Sequence, residues 1–468
     1  MTRVNRLGRA ILAGTAGALL TLALLTLPVP AAAKDFEVWL VDQSNSVGTF
    51  GGKVHIFDGS DLMGASASSA TPTAVIDLGG ATAALCFAQT GANPVRPHML
   101  FFNSTHTHAV LAFVASGHVV IFDAAARTPI TCIRTSVGAG GARQAHAAFP
   151  SEDDTFILVA NQNGKLLERI DADYGTNTFV LNPAATLNLA TCVTPNGIPC
   201  QLAGVRPDNA PICPILDASS QLGFVTLRGG GLFVVDPRST PMRILGEYDQ
   251  ATVHGNGCGG VEARGWMFID SGGGTPSNLD QFDVYAFALS GYSAANPPNV
   301  PPPTLIFSDD SPHRDAHGIV PTKHERYIWV LDRAANVAEV FDAATGAHAG
   351  TVDFVGPASA DPTPDLGDLA PSGNRMFVSL RGPNPLSGDP HVATGSTPGL
   401  GVIRLAKGGK SGSLKSVVPV SNIDSTGVER ADPHGIRIRL LARPASGGYD
   451  DDGDDENNQG DDDDGKHK

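Results

Sequence analysis

Side chains that can bind a metal ion or move a proton recur at matching places along the sequence. Each stands near the start of a short apolar segment, and the set is His98, His146, Cys213, His254, His317, Asp365 and His434. Neutral imidazole is a ligand for zinc and copper, and a free thiolate favours zinc or Cu(I). If the fold brings these positions together, the sequence predicts a transition-metal site.

The distance from each candidate to the next apolar segment separates stronger from weaker members of the set. It is ten residues after His146, Cys213 and His317, and eleven after His98, His254 and Asp365. A slip of one residue turns a strand side chain to the opposite face. The residues with the eleven-residue spacing are therefore weaker candidates for the metal site, unless a longer turn absorbs the extra residue. The most secure ligands are therefore His146, His317 and His434.

Two structural alternatives compete with the metal site. The histidines would hydrogen-bond a neighbouring segment, or Cys213 would form a disulfide with Cys258 and lose its thiolate. Asp315 and Asp432 each lie two residues before a candidate histidine. Their carboxylates are predicted to orient the ligating imidazole rings.

The elements that must position these residues are short strands. The 468-residue chain has 54 glycines and 34 prolines, and runs rich in Val, Ile and Phe alternate with turn residues, which is typical of an all-β protein. Seven segments share an apolar strand, a turn containing Gly or Asn, and a second apolar strand. Repeated hairpins at this spacing predict the blades of a propeller.

A further short strand precedes six of the hairpins but not the first. Its counterpart is the segment "DPHGIRI", residues 432–438, near the other end of the chain. We therefore predict an all-β fold, a seven-bladed β-propeller closed by pairing of the N-terminal strands with a C-terminal inner strand. Such pairing removes open sheet edges. Because inner strands line the axial channel, the candidate ligands would form a ring around it.

The repeats resemble those of seven-bladed propellers with a YVTN-type repeat. The segments "AHGIVPTKHERYIWVLDR" and "AHAAFPSEDDTFILVAN" carry the likeness most clearly, and "PHGIRI" carries its first half. The likeness covers most of residues 35–442 and implies the fold, which hosts many functions. The unit "VHGNGCGGVEARGWMFID" departs from the pattern, because glycines replace its usual apolar residues.

The N-terminal segment has the order of a secretory signal. Arg3, Arg6 and Arg9 precede an apolar run, and small residues follow it. We predict cleavage after Ala33, a periplasmic or secreted protein, and no membrane span after cleavage; a retained anchor is the alternative. The predicted domains are a signal peptide (1–33), a propeller (34–446) with insertions 172–212 and 291–312 on one face, and a disordered acidic tail (447–468).

The six cysteines suit an oxidising compartment. Cys192 and Cys200 bracket a Pro-Asn-Gly turn and are the best local pair. Pairing of Cys86 with Cys132 and of Cys213 with Cys258 would complete one of several connectivities, among which the sequence does not choose.

Charge and repeat pattern together define the functional hypotheses. The formal net charge of −15 disfavours nucleic acid as a partner. The first hypothesis is an exported, monomeric binding protein that holds zinc or copper, or a metal-dependent small ligand, in the axial channel. Its partner would be an exported protein that receives the metal or donates it. It resembles periplasmic metal-chaperone propellers in fold and histidine placement only. The alternatives are a metal-dependent lactonase-like hydrolase or lyase at the same channel mouth, and a protein-interaction platform with structural histidines.

Overall fold

The computed structural model describes residues 35–44, 51–273, 280–295, 297–385 and 394–441. The predicted signal peptide and acidic tail lie outside the described residues. Within these ranges, no helix is both long enough and apolar enough to cross a bilayer.

The described strands form seven antiparallel sheets, which are the blades of a propeller. Blade 1 begins with β1 Phe36–Asp42, β2 Lys53–Asp58 and β3 Ala74–Asp77. The strands of blades 2 to 4 are β4 Pro97–Phe102, β5 His108–Phe113, β6 His118–Asp123, β7 Thr128–Arg134, β8 Ala145–Pro150, β9 Phe156–Asn161, β10 Leu166–Asp173, β11 Thr178–Leu181, β12 Leu187–Asn188, β13 Pro211–Leu216, β14 Gly223–Leu227, β15 Leu232–Asp236 and β16 Arg243–Tyr248.

The strands of blades 5 to 7 follow in the same antiparallel order. They are β17 Gly260–Ala263, β18 Trp266–Ser271, β19 Phe282–Ala288, β20 Thr304–Asp309, β21 Ala316–Pro321, β22 Tyr327–Asp332, β23 Val337–Asp342, β24 His348–Asp353, β25 Pro364–Leu369, β26 Arg375–Leu380, β27 Gly399–Ala406 and β28 Ser411–Pro419. Two α-helices, α1 Gly59–Met63 and α2 Ala83–Thr90, lie in the connections around β3. Short helical turns are Ala67–Ser69, Leu78–Thr82, Ala139–Gly141, Pro183–Ala185, Lys323–Glu325 and Lys407–Gly409.

The last strand, β29 Pro433–Leu440, returns to blade 1 and closes the ring. It pairs with β1 in antiparallel register from Phe36 opposite Leu440 to Asp42 opposite Pro433. The predicted closure is confirmed. Because β29 pairs with β1, the inner edge of β1 is not left open.

The core lies between the blades, which explains why the strands read as continuous apolar runs. In β5, Leu111 and Phe113 pack in one cluster with Trp39 of blade 1. The alternating residues Val110 and Ala112 pack in another cluster with side chains of blade 3. A strand covered on both faces needs no polar face, so its sequence loses the alternation of a half-exposed strand.

The two insertions also complete blades. Residues 172–212 include β11 and β12, and residues 291–312 include β20, the outermost strand of blade 5. The cysteine pairs observed are Cys86–Cys132, Cys192–Cys200 and Cys213–Cys258.

Blade 5 departs from the sequence prediction. Its inner strand begins at Gly260, six residues after His254, rather than around that histidine. A Cβ atom on Gly257 would lie 1.8 Å from the carbonyl oxygen of Asp270. The glycines of this segment therefore allow a close backbone approach ahead of the strand, and ladder pairing starts only after them.

Candidate metal centre

A β-bulge near the start of the inner strands brings the candidate ligands together. In β4, β8, β13, β21, β25 and β29 the pairing register shifts by one residue close to the first paired position. The residues enclosed by five of these shifts include His98, His146, His317, Asp365 and His434. A bulge re-aims a side chain relative to its sheet. The difference between ten- and eleven-residue spacing therefore does not separate these five positions.

Three imidazole rings converge most closely. His98 Nε2 lies 3.1 Å from His434 Nε2 and 3.3 Å from His146 Nε2. The ring of His317 is centred 5.2 Å from the ring of His434. His98, His317 and His434 are buried, and His146 is half-buried. Four blades thus place imidazole nitrogens in one small volume.

Asp365 contacts two of these rings at their Nδ1 atoms. Its Oδ2 atom lies 2.6 Å from His434 Nδ1, and its Oδ1 atom lies 2.7 Å from His317 Nδ1. Burial would raise the pKa of Asp365, but His434, His317, Arg381 and Arg333 outweigh burial and hold this pKa well below its usual range. Since an ionised carboxylate only accepts hydrogen bonds, Nδ1 of His434 carries the proton. Its Nε2 atom therefore presents a lone pair.

His98 has the same tautomer for a different reason. Its Nδ1 atom lies 3.2 Å from Gln43 Oε1, while Gln43 Nε2 donates to Asp432 Oδ2 at 3.1 Å. The second bond orients the amide so that its oxygen faces the imidazole. Nδ1 of His98 is thus the donor, and Nε2 presents a lone pair to His434.

Burial keeps both rings neutral. It lowers the pKa of His98 well below its usual value, and neighbouring His434 and His146 add to the effect. It also lowers the pKa of His434 to about 4, although Asp365 opposes the shift. Near neutral pH, two unprotonated nitrogens therefore face each other at hydrogen-bond distance.

The other predicted orienting carboxylates contact different groups. Asp432 accepts from Arg381 and Gln43, and Asp315 pairs with Arg333 at 2.7 Å. Both carboxylates thus contact guanidinium groups. Asp432 reaches an imidazole ring indirectly, through Gln43, which contacts His98. Asp365, predicted as a ligand, contacts Nδ1 of His434 and Nδ1 of His317.

Two candidates lie elsewhere. His254 Nδ1 pairs with Asp283 at 2.7 Å, its side chain is 45% exposed, and it does not line the axial cavity. Cys213 is bonded to Cys258, so it offers no thiolate. The disulfide alternative is the one observed.

The ring positions of blades 4 and 5 are occupied by residues that were not predicted. A Cβ atom on Gly435 or Gly318 would lie 2.5 Å from the carbonyl oxygen of His98 or Asp365, the ring residue of the next blade. A Cβ atom on Gly259 would lie 2.4 Å from the carbonyl oxygen of His317. The residue before each glycine is thus equivalent, which assigns Cys258 to blade 5. In blade 5 the sequence holds this dipeptide pattern twice, as His254-Gly255 and as Cys258-Gly259, so the pattern alone does not single out Cys258.

Blade 4 has its own signal. The ring residues His98, Asp365 and His434 each follow a proline that begins the inner strand. In β13 that proline is Pro211, so the equivalent residue is Ile212. An isoleucine cannot bind a metal, and the imidazole cluster is confined to the other side of the axis.

The axial cavity combines imidazole, guanidinium and amide groups. Its lining residues are Gln43, Arg96, His98, His146, Gln162, Ile212, Asn256, Cys258, His317, Arg333, Arg381 and His434. His317, Asp365 and His434 form one group whose possible ligand atoms all lie within 4.8 Å of one another. This group combines Asp365 with two of the four imidazoles and includes neither His98 nor His146.

No protein-family model and no curated protein sequence matches the chain. A solved structure of a Lactobacillus plantarum protein is 12% identical, covers 86% of this chain and 99% of its own, and has a TM-score of 0.55. A putative 6-phosphogluconolactonase from Bacteroides fragilis NCTC 9343 is 11% identical, covers 86% and 98%, and has a TM-score of 0.53. At these identities the likeness shows the fold alone. The chain is therefore a seven-bladed β-propeller that resembles these bacterial proteins in fold.

Proposed function

We propose that the protein is an exported binding protein that holds a zinc or copper ion in its axial channel through His98, His146, His317 and His434. One observation carries the proposal. The Nε2 atoms of His98 and His434 face each other at 3.1 Å while both Nδ1 atoms are engaged with acceptors. Two opposed lone pairs repel, and a bound cation that accepts both would remove the repulsion.

A shared proton is the competing explanation, and burial argues against it. Protonation of either ring would place a further positive charge in a cluster where the pKa of both histidines is already lowered. A metal ion differs because it forms bonds to several imidazoles at once, which compensates for its desolvation.

Two of the three arginines that line the cavity, Arg333 and Arg381, are paired with carboxylates. Arg381 pairs with Asp365 at 2.8 Å and with Asp432 at 2.6 Å, and Arg333 pairs with Asp315. These buried carboxylates neutralise the guanidinium charges. The Asp365–His434 contact has the form of the carboxylate–histidine–metal arrangement, in which the carboxylate fixes the tautomer and orientation of the ligand.

Four converging imidazoles favour carriage over catalysis. Structural and storage sites saturate the ion with protein ligands, whereas catalytic sites keep one position open. Under this proposal the partner is another exported protein that donates or receives the metal. The three disulfides and the absence of a spanning helix in the described ranges are compatible with export.

Metal analysis of untagged protein tests the proposal. We expect one equivalent of zinc or copper in the wild type, and loss of that metal in His98→Ala and in His434→Ala. His254→Ala is a matched control, because it removes a carboxylate-paired histidine that does not line the cavity. Absence of metal binding by the wild type, or retention of full stoichiometry in both cavity variants, would contradict the proposal.

Cobalt substitution separates carriage from catalysis. A site closed by four nitrogen ligands should give the strong visible absorption of tetrahedral Co²⁺, unchanged by added small anions. A spectrum that shifts when azide or acetate is added would indicate an open position and favour the metal-dependent hydrolase or lyase.

A further inference from the structure

A second group of soft ligand atoms lies beside the imidazole cluster. The Sγ atoms of the Cys213–Cys258 disulfide lie 3.8 and 3.6 Å from Met99 Sδ. Cys213 Sγ also lies 4.0 Å from His146 Nδ1. The four residues come from blades 2, 3, 4 and 5 and meet near the axis. Three sulfur atoms and one imidazole nitrogen thus form a single group.

The other cysteine pairs have different surroundings. Cys86–Cys132 joins α2 to β7, and Cys192–Cys200 closes a short loop with a sequence separation of 8. Among the described residues, Cys213 and Cys258 are the cysteines that group with a histidine, His146, with their possible ligand atoms all within 4.8 Å of one another. Cys258 also lines the axial cavity. A purely structural cross-link would need neither the histidine nor the thioether beside it.

We propose that the Cys213–Cys258 disulfide gates a second metal site, which forms when a dithiol reductant reduces it. A thiolate of the reductant attacks one sulfur, the S–S bond breaks, and the second thiol of the reductant completes the exchange. The reductant leaves as its own disulfide after supplying two electrons, and the protein gains two thiols. A metal ion then displaces both thiol protons and binds the two thiolates with Met99 and His146.

The donor set selects a thiophilic ion. Thiolate and thioether sulfur favour Cu(I), zinc and related d¹⁰ ions over hard cations. Two thiolates would balance the charge of a divalent ion in a group where Met99, Cys213 and Cys258 are all buried. In the oxidised protein the disulfide sulfurs carry no charge, so the same atoms are poor ligands. Redox state therefore decides whether this site exists.

His146 links the two sites. Its Nε2 atom faces His98 at 3.3 Å, and its Nδ1 atom faces Cys213. An ion in the sulfur site would compete for this ring with an ion in the imidazole site. The sulfur site nevertheless extends beyond the proposed function, because its cysteines and methionine bind without His98 or His434.

Cadmium titration tests this gate. Folded wild type and Cys213→Ser/Cys258→Ser are reduced with a dithiol, freed of reductant without oxygen, and titrated with Cd²⁺ while the ultraviolet cadmium–thiolate absorption is recorded. We expect one more thiolate-bound equivalent in the wild type than in the double variant. Cadmium bound by thiolates of the other two cysteine pairs is the same in both proteins and cancels in the comparison. Equal binding, or mass mapping that finds Cys213–Cys258 still oxidised in the folded protein, would overturn the proposal.

Variants that keep both cysteines make the test independent of folding in the double variant. Met99→Leu preserves volume and removes a proposed ligand, so it should weaken cadmium binding by at least about tenfold, the lower end of what loss of an outer-shell partner costs. His146→Ala should weaken it by at least the same factor. Unchanged affinity in both would overturn the site. His98→Ala/His434→Ala should retain the reduction-dependent cadmium signal, so failure of the imidazole site and failure of the sulfur site give different results.

Discussion

Two histidines in this protein have almost the same carboxylate contact and opposite electrostatic behaviour. His254 Nδ1 lies 2.7 Å from Asp283, and His434 Nδ1 lies 2.6 Å from Asp365. The hydrogen bond that His254 donates to Asp283 raises the pKa of His254, whereas burial lowers the pKa of His434 to about 4. The His254 side chain is 45% exposed and that of His434 is 1% exposed. Burial, rather than the carboxylate, therefore accounts for the opposite directions of the two pKa shifts.

Among the substitutions that test this comparison, removal of the carboxylate at the axis should have the largest effect on stability and on zinc affinity. Asp365→Asn takes the negative charge from between Arg381, Arg333 and two histidines. Loss of one partner from a buried ion pair costs about 3–5 kcal/mol. We expect denaturant unfolding of the metal-free variant to show a decrease of this order in the free energy of unfolding, together with a large loss of zinc affinity.

Asp283→Asn is the matched control for metal binding. It removes the carboxylate of the exposed pair, so zinc affinity should stay at the wild-type value. If Asp365→Asn binds zinc as tightly as Asp283→Asn does, Asp365 does not orient the ligands and the contrast between the two pairs has no functional meaning.

A smaller effect on stability and zinc affinity is expected when a side-chain atom is added at Gly435, whose backbone lies close to that of His98. Gly435→Ala places a Cβ atom 2.5 Å from the carbonyl oxygen of that histidine. The inner strand must shift, which typically costs about 1–3 kcal/mol in a packed core. Thermal unfolding should report the loss of stability, and zinc titration should report weaker binding as the His98 ring moves.

Gly356→Ala provides the control for this substitution. Nothing lies within 4 Å of a Cβ atom built on Gly356, so stability and affinity should be nearly unchanged. Equal behaviour of the two alanine variants would show that the axial backbone is not tightly constrained.

The smallest effect concerns the exposed pair and its pH dependence. The pKa of His254 is raised in the folded state, chiefly by Asp283, with Asp310 adding to the shift and desolvation opposing it. A raised pKa means that the stabilisation is fully present below the unfolded-state pKa of about 6.5 and is lost as pH rises through the folded value. Because the pair is partly exposed, we expect less than about 1 kcal/mol.

The difference in unfolding free energy between wild type and His254→Ala measures this contribution across pH. It should be larger in mildly acidic than in mildly alkaline buffer. A difference that grows with rising pH would have the wrong sign and would exclude Asp283 as the cause.

Most of the fold could be predicted from the sequence because the information is local and repeated. Each hairpin carries its own apolar strands and turn residues, and the unpaired segment at 432–438 identified the closing strand. The same repetition located His98, His146, His317 and His434, whose rings do converge. A YVTN-type repeat remains a resemblance of the sequence rather than a finding of the structure.

Several features of the site could not be predicted, because they depend on contacts between blades. Whether Asp365 binds a metal or orients two rings depends on the neighbouring inner strands that carry His317 and His434. The ring position of blade 5 became visible only from the close approach of Gly259 to the carbonyl oxygen of His317. In blade 4 the bulge encloses both Ile212 and Cys213, so the sequence does not decide which of them takes the ring position. The structure shows that Cys213 is bonded to Cys258.

By itself, then, the sequence determined the number of blades, the pairing of the first strand with the last, and the recurrence of histidine near the start of an inner strand, since these follow from short-range patterns. Only the tertiary structure decided the opposite pKa shifts of His254 and His434 and the partner of each cysteine. The physical reason is that burial, bulge geometry and the approach of one blade to the next arise from residues far apart in the chain. The imidazole group and the sulfur group are neighbours because both draw residues from the inner strands of blades 2 and 3.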